Sequence, residues 1–461
     1  MTTMSSADAA WLRMDRPTNP MVINALLRFE GRLDPAALRD LLAERLVDRF
    51  PRFRQIPAGD SIRGLRWEDD PAFDLELHVR HLGLPEPGDE AALRELVSDL
   101  VSAPLDRSRP LWTTTLIDGP GDESAIHVQM HHGIADGIAL ARVLMTLTDA
   151  PDETGVAPDP PADAHRSGGL PVPPVVRQLA GAAEAAAGAI AHEAVATLLD
   201  PGHVATIAKT AAQDASIVAK FLASPPDPRH ALHDELGAGQ RVAWSPALPL
   251  PEVRRVAHAF GATINDVLLA AVTGAIGDHL RAAGTPTDEI HAMVPFNLRP
   301  LDEPLPRDLG NRFGLLLLAL PVGLQSAVAR LLEVHRRTTA IKHSHEGQIA
   351  YGILAAMGTA PAAVEARLID LFSAKATAVI TNVPGPREPV SLLGVPMRSV
   401  LVWAPSSGSL GMSVSIFSYR GEVTVGFLVN RRLADDPQPL ADALPKQLRM
   451  LAQATSSTAA R

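Results

Sequence analysis

The segment Ser124 to Asp149, SAIHVQMHHGIADGIALARVLMTLTD, carries the residues of this chain best placed to do chemistry. Two adjacent histidines, His131 and His132, are followed at a distance of a few residues by Asp136 and Gly137. An unperturbed histidine has a pKa of about 6.5, so near neutral pH its ring can take a proton from a hydroxyl and act as a general base. The carboxylate of Asp136 can hold that ring or its loop, or it can serve as the N-cap of the helix that follows. A metal site is the poorer reading of the same residues. Adjacent histidines on a strand diverge, whereas zinc ligands usually stand roughly two to five residues apart on one face. His343 and His345 are better spaced but have no carboxylate loop around them, and they read as solvated.

The elements that must position these groups are legible in the same segment. Ile126, Val128 and Met130 alternate with His127 and Gln129, which predicts a strand running up to the histidines. Period 2 then puts His132 on the apolar face and His131 on the other, with His127. Past Gly133 the chain turns, Asp136-Gly137 closes the turn, and Leu140, Val143, Leu144 and Leu147 form the stripe of a helix. The layout is strand, tight loop, helix. Other motifs are missing: there is no G-x-S-x-G elbow, no P-loop and no H-E-x-x-H, and Gly237-Ala238-Gly239 lacks the third glycine of a dinucleotide turn.

Composition narrows the chemistry further. The 461 residues include no Cys, which excludes a thiolate nucleophile, disulfides and Cys-ligated metal. A net charge of −10 argues against a nucleic-acid partner. Hydrophobic residues make up 46% of the chain but aromatic ones only 4%, so the apolar content is mostly aliphatic. No stretch approaches the length of a spanning helix, and the N-terminus lacks the basic start and apolar core of a signal peptide. A cytoplasmic location is expected.

Three zones follow one another. Residues 1–150 mix strands and helices: Val22 to Phe29 reads as a strand, Asp34 and Pro35 open a helix, and Phe73 to Val79 alternates like a half-buried strand. Residues 151–240 begin with a Pro-rich linker and continue with an Ala-rich helical connector, Gln178 to Leu199 and Val204 to Leu222. That connector suits helices packed between two lobes or a face that touches lipid. Residues 241–461 return to mixed elements, with Ile264 to Ile276 helical and Met412 to Asn430 a hairpin turning at Arg420-Gly421. The fold class is α/β, two lobes with a helical connector.

His131 to Gly137 matches H-H-x-x-x-D-G, the signature of CoA-dependent acyltransferases similar to chloramphenicol acetyltransferase. Around it stand Asn19-Pro20-Met21, Pro110-Leu111-Trp112, Asn265-Asp266, Val294 to Pro300, Gly310-Asn311 and Asn382 to Pro386. In that order and spacing they resemble the bacterial wax ester synthase/acyl-CoA:diacylglycerol acyltransferase family, over nearly the whole chain. The resemblance implies two chloramphenicol acetyltransferase-like lobes with mixed sheets and an active-site tunnel between them. Acyl-CoA, a substrate and not a cofactor, would enter from one side and diacylglycerol or a fatty alcohol from the other. It further implies that His132 is the base, with no acyl-enzyme. Asn265 would lie near the site as a hydrogen-bond donor, although an N-cap role would also explain it. Arg299 is the suggested partner of Asp136. Pro110, Leu111 and Trp112 are expected to shape a wall, and Asn382 a turn beside the tunnel. The phosphates of CoA call for local arginines, and only five of the 42 basic residues are Lys.

The leading expectation is an O-acyltransferase forming triacylglycerol, wax ester or both, with peripheral contact at the inner membrane face or lipid droplets. The alternatives are a condensation-type enzyme with a carrier-protein donor and a non-catalytic lipid-surface binding protein.

Overall fold

The computed structural model describes residues 2–60, 64–119, 121–149, 225–297, 309, 311, 313–342 and 362–459. The Pro-rich linker, the Ala-rich connector, Arg299, Gly310, His343 and His345 lie outside them. In chain order the main elements are helix α1 (Ser6–Met14), strand β1 (Val22–Phe29), α2 (Pro35–Leu42), β2 (Val79–Gly83), α3 (Glu90–Ser102), β3 (Trp112–Asp118), β4 (Ser124–His131) and α4 (Gly137–Thr146). Then come β5 (Gln240–Trp244), α5 (Leu250–Ala259), α6 (Ile264–Ala282), β6 (Ile290–Asn297), β7 (Phe313–Leu320), α7 (Ala327–Lys342) and α8 (Ala362–Ser373). The chain ends with β8 (Ala378–Pro384), β9 (Val395–Trp403), β10 (Met412–Tyr419), β11 (Glu422–Asn430) and α9 (Gln438–Ala459).

Two mixed sheets organise these elements. The first runs β9-β1-β4-β3-β2, with Ser391–Leu392 added beside β9. The second runs β7-β6-β8-β10-β11-β5, with Leu248–Pro249 also paired to β11. Most pairs are antiparallel, but β2/β3, β6/β8 and β8/β10 are parallel. Residues 55–60, 64–69 and Thr2–Thr3 form a small third sheet.

Alternation along the strands decides which side of each sheet meets which core. In β1 and β4, Ile23, Ala25, Leu27, Ile126, Val128 and Met130 enter a cluster with Leu38, Leu42, Val143 and Leu144 of α2 and α4. The opposite face contributes Leu26, Ala125, Leu401 and Trp403 to a cluster shared with Val242, Trp244 and Leu428 of the second sheet. The second sheet's far face packs Val414, Ile416, Val425 and Phe427 against α5, α6, α7 and α9. The layers are therefore helices, sheet, sheet, helices, which buries both faces of β4 along its whole length.

Local signals explain several boundaries. Asp34 Oδ1 accepts from Ala37 N at 2.7 Å and Pro35 is the first helical residue, so α2 starts where its cap dictates. The β10–β11 hairpin turns through Arg420 and Gly421 with φ of 51° and 78°, the left-handed pair of a tight hairpin turn. The strand expected at Phe73 to Val79 does not form as such. Asp74 Oδ1 accepts from Glu76 N at 3.0 Å and starts a short 3-10 helix, Leu75–Leu77, and the strand begins only at Val79. A local side-chain cap overrides the period-2 pattern there.

The sheets do not follow chain order entirely. Strand β9 belongs by sequence to the region after 241, yet it pairs antiparallel with β1, Trp403 opposite Asn24 and Leu401 opposite Leu26. The C-terminal region thus supplies an edge of the first sheet and ties the two lobes together. Among the described residues no single helix is long and apolar enough to cross a membrane. The bent pair α5 and α6 comes closest in composition, but α6 is a core helix, buried from Asp266 to Gly277.

Candidate active site

The strand, loop and helix around the histidines form as the sequence predicts. Strand β4 ends at His131, and α4 starts at Gly137 with Asp136 as its N-cap, the carboxylate accepting from Ala139 N at 2.8 Å. Asp136 is buried, so it orders the loop from inside. Gly137 is the first residue of α4.

His131 is held by a hydrogen bond at one ring nitrogen and faces a carboxylate with the other. Its Nδ1 accepts the backbone N–H of Gly133 at 2.9 Å, so in the neutral ring the proton sits on Nε2. That nitrogen faces Asp15 Oδ2 at 3.7 Å. Asp15 also accepts from Arg107 Nη2 at 2.6 Å and from Met21 N at 2.9 Å. Burial pushes the Asp15 carboxyl up, but its contacts with His131, Arg107 and Met21 N outweigh this and hold it at about 2. The His131 backbone N–H donates to Leu111 O at 2.9 Å. His131 is therefore a fastener that fixes the loop beside it.

His132 is clamped differently. Its N–H donates to Met21 O at 2.8 Å and its carbonyl accepts from Asn311 Nδ2 at 2.9 Å. The same amide donates to Asp8 Oδ1 at 2.6 Å, linking α1 to the loop. Trp11, also on α1, stacks on the imidazole with ring centroids 4.1 Å apart and planes 23° from parallel. The ring is 5% exposed. Burial, with a smaller contribution from the neighbouring His131, holds its pKa down at about 3, while its own backbone and Asn311 work the other way. At neutral pH this is an uncharged ring with a lone pair, as a general base must be. Helix α1 is itself anchored to α8 by Arg13 Nε and Glu365 Oε2 at 2.5 Å.

Beneath the loop, β1, β4 and α4 enclose a small apolar void of about 10 Å³, room for no more than about one water molecule. Ile23, Val128, Met130, Leu140 and Leu144 line it, and Gly137 stands at its edge.

The other sequence-derived residues distribute as follows. Trp112 is fully buried, its N–H donating to Phe53 O at 2.8 Å and its ring stacked on His78 at 4.7 Å. It anchors the core, and the Pro110-Leu111-Trp112 segment reaches the site through the Leu111 carbonyl that holds His131. Asn265 is not an N-cap. Thr263 is, its Oγ1 accepting from Asp266 N while Asp266 Oδ2 accepts from Thr263 N. That leaves the Asn265 side chain for other work, and its Oδ1 accepts from Asn382 Nδ2 at 2.8 Å. Two residues 117 positions apart are thus brought together at the base of α6 and the end of β8. Among the described residues no hydrogen bond joins that pair to the histidine loop.

Asp15, Trp11, Asp8 and Asn311 were not assigned roles from sequence. The Asn19-Pro20-Met21 and Gly310-Asn311 motifs pointed near them, and Met21 and Asn311 are the backbone and side-chain anchors of His132.

Known proteins share this fold. Residues 4–268 match the wax ester synthase/diacylglycerol acyltransferase catalytic domain, and residues 309–452 match the C-terminal domain of the same family. Two proteins named diacylglycerol O-acyltransferases, from Mycobacterium bovis and Mycobacterium tuberculosis, are each 31% identical over 454 residues, spanning 96% of this chain and 94% of theirs. The wax ester synthase/diacylglycerol acyltransferase of Marinobacter aquaeolei VT8 shares the fold with a TM-score of 0.70 at 24% identity, over 99% of this chain and 100% of its own. The first condensation domain of the calcium-dependent antibiotic synthetase shares it at 0.58 and 18%, over 99% and 96%. The chain belongs to the wax ester synthase/diacylglycerol acyltransferase family.

Proposed function

We propose that this protein transfers a long-chain acyl group from acyl-CoA to the hydroxyl of diacylglycerol, a fatty alcohol or both, with His132 as the general base and no acyl-enzyme. The observation that carries the reading is the setting of His132: buried, stacked by Trp11 and clamped at its backbone N–H and carbonyl. His132 takes the hydroxyl proton as the alcohol oxygen attacks the thioester carbonyl. The tetrahedral intermediate collapses, the C–S bond breaks, and the imidazolium returns its proton to the sulfur of departing CoA. The chain has no Cys to form a thioester with the acyl group.

Asn265 suits the oxyanion. Its carbonyl oxygen is occupied by Asn382, which turns the amide N–H groups toward other acceptors. A thiol-release assay with palmitoyl-CoA tests the reading: CoA should appear only when diacylglycerol or hexadecanol is supplied. Absence of release with every hydroxyl acceptor refutes it.

A further inference from the structure

Helix α1 and the residue just past its end hold the histidine loop: Asp8 accepts from Asn311, Trp11 stacks on His132, and Asp15 faces His131. What fixes α1 in turn is α8. Glu365, Leu368, Ile369 and Phe372 stand at the i, i+3, i+4, i+7 spacing of one face of that helix. Leu368, Ile369 and Phe372 pack in one cluster with Ala10, Trp11 and Met14 of α1. Trp11 thus belongs to the α8 contact and to the His132 stack at once.

The polar end of that face is the unexpected part. The Glu365 side chain is 1% exposed, its Oε2 accepts from Arg13 Nε at 2.5 Å, and its Oε1 has no hydrogen-bond partner among the described residues. Burial pushes the carboxyl up to about 7, and Arg13 only partly offsets this. A buried pair with one acceptor unmet is a poor source of stability, and apolar side chains of similar size often serve as well. Its use lies in direction. Apolar helix faces can shift on one another by exchanging one weak contact for the next, whereas a charge-assisted hydrogen bond demands one length and one angle. The other pair joining these segments, Arg16 and Asp370 at 2.8 Å, lies at the surface and fixes little.

We propose that Glu365 is a positioning residue for the reaction: through Arg13 it pins the register of α1 on α8, and that register sets Trp11 on the His132 ring. The inference rests on the acyl-transfer reading with His132 as base. It gives the C-terminal domain, which carries α8, a part in orienting a base that the catalytic domain supplies.

The test separates register from stability. Arg13→Met/Glu365→Met replaces the pair by apolar side chains of similar length, so thermal unfolding should stay at or above the wild-type temperature. In the thiol-release assay with palmitoyl-CoA and dioleoylglycerol, kcat should nevertheless fall about three- to tenfold, with both KM values within about twofold of wild type. A cycle with Trp11→Leu reads the route independently. Glu365→Gln should lower kcat on the wild-type background and leave it within about twofold on the Trp11→Leu background. A double methionine variant that keeps both its unfolding temperature and its kcat overturns the pin. So does a Glu365→Gln variant with wild-type kcat, or a loss that repeats in full without Trp11. Should the methionine pair unfold earlier, the Trp11 cycle decides alone. In each of these cases turnover that His132→Ala abolishes leaves acyl transfer standing, whereas a wild type that releases no CoA refutes the underlying reading instead.

Discussion

The histidine loop and the Asn265–Asn382 pair are built on opposite plans. Around the loop the anchors are multiply bonded, and most are buried: half-buried Asp15 reaches His131, Arg107 and Met21, and buried Asn311 bridges Asp8 to the His132 carbonyl. The asparagines hold each other by one hydrogen bond at the exposed end of β8. A base must be desolvated and fixed in one orientation, and such rigidity needs partners on all sides. A group that meets substrates of varied shape can sit nearer to solvent. The contrast teaches that the cost of substitution should fall steeply from the first region to the second.

The largest effect is expected at His132 itself. His132→Ala should lower kcat about 10²- to 10⁴-fold with the fold retained, measured by thiol release and circular dichroism. Asn311→Ala comes next, because it strips the His132 carbonyl and the buried Asp8 of one shared donor. Denaturant unfolding should show a loss of about 1–3 kcal/mol, with a fall in kcat from the loosened loop. Trp11→Leu removes a stacking contact of about 0.5–1.5 kcal/mol, so kcat should drop by up to about tenfold with KM for acyl-CoA little changed.

The smallest effect is expected at Asn265→Ala. A donor in a dry site is worth about 2.7–4 kcal/mol of barrier, but one near solvent should contribute less, so a fall of about tenfold or below is expected. A loss as large as that of His132→Ala would erase the contrast between the two regions and make Asn265 an equal member of the catalytic machinery.

Burial also sets the sign of the pH response. His132 and His127 are each held at about 3, below the ordinary histidine value, so between roughly pH 6.5 and 3 the unfolded chain binds more protons than the folded one. Stability should therefore fall as pH drops through that window. Activity should show its acidic limb well below pH 6.5 wherever the protein stays folded.

The sequence made the local parts of this design legible and hid the tertiary ones. Strand β1, the cap at Asp34 and the β10–β11 hairpin follow from alternation, an N-cap and a turn pair, all set within a few residues. The same holds for the strand–loop–helix that carries His132. Where two local signals competed, as at Phe73 to Val79, the Asp74 cap prevailed over alternation. At Asn265 the cap lay two residues earlier than its sequence position suggested, because Thr263 and Asp266 form a reciprocal pair. Trp11, Asp15 and Asn311 converge on the histidines from more than 100 residues away in the chain, and no periodicity reports such a meeting. The exchange of β9 into the first sheet is equally invisible, since a strand's pattern does not name its partner.

The central claim is that the hydroxyl attacks acyl-CoA directly, with His132 as base. Intact-protein mass spectrometry after incubation with palmitoyl-CoA alone tests it most directly. Unmodified protein, with ester and free CoA appearing together only after an alcohol is added, is the predicted result. A palmitoylated protein that forms without acceptor and is discharged by alcohol would contradict it.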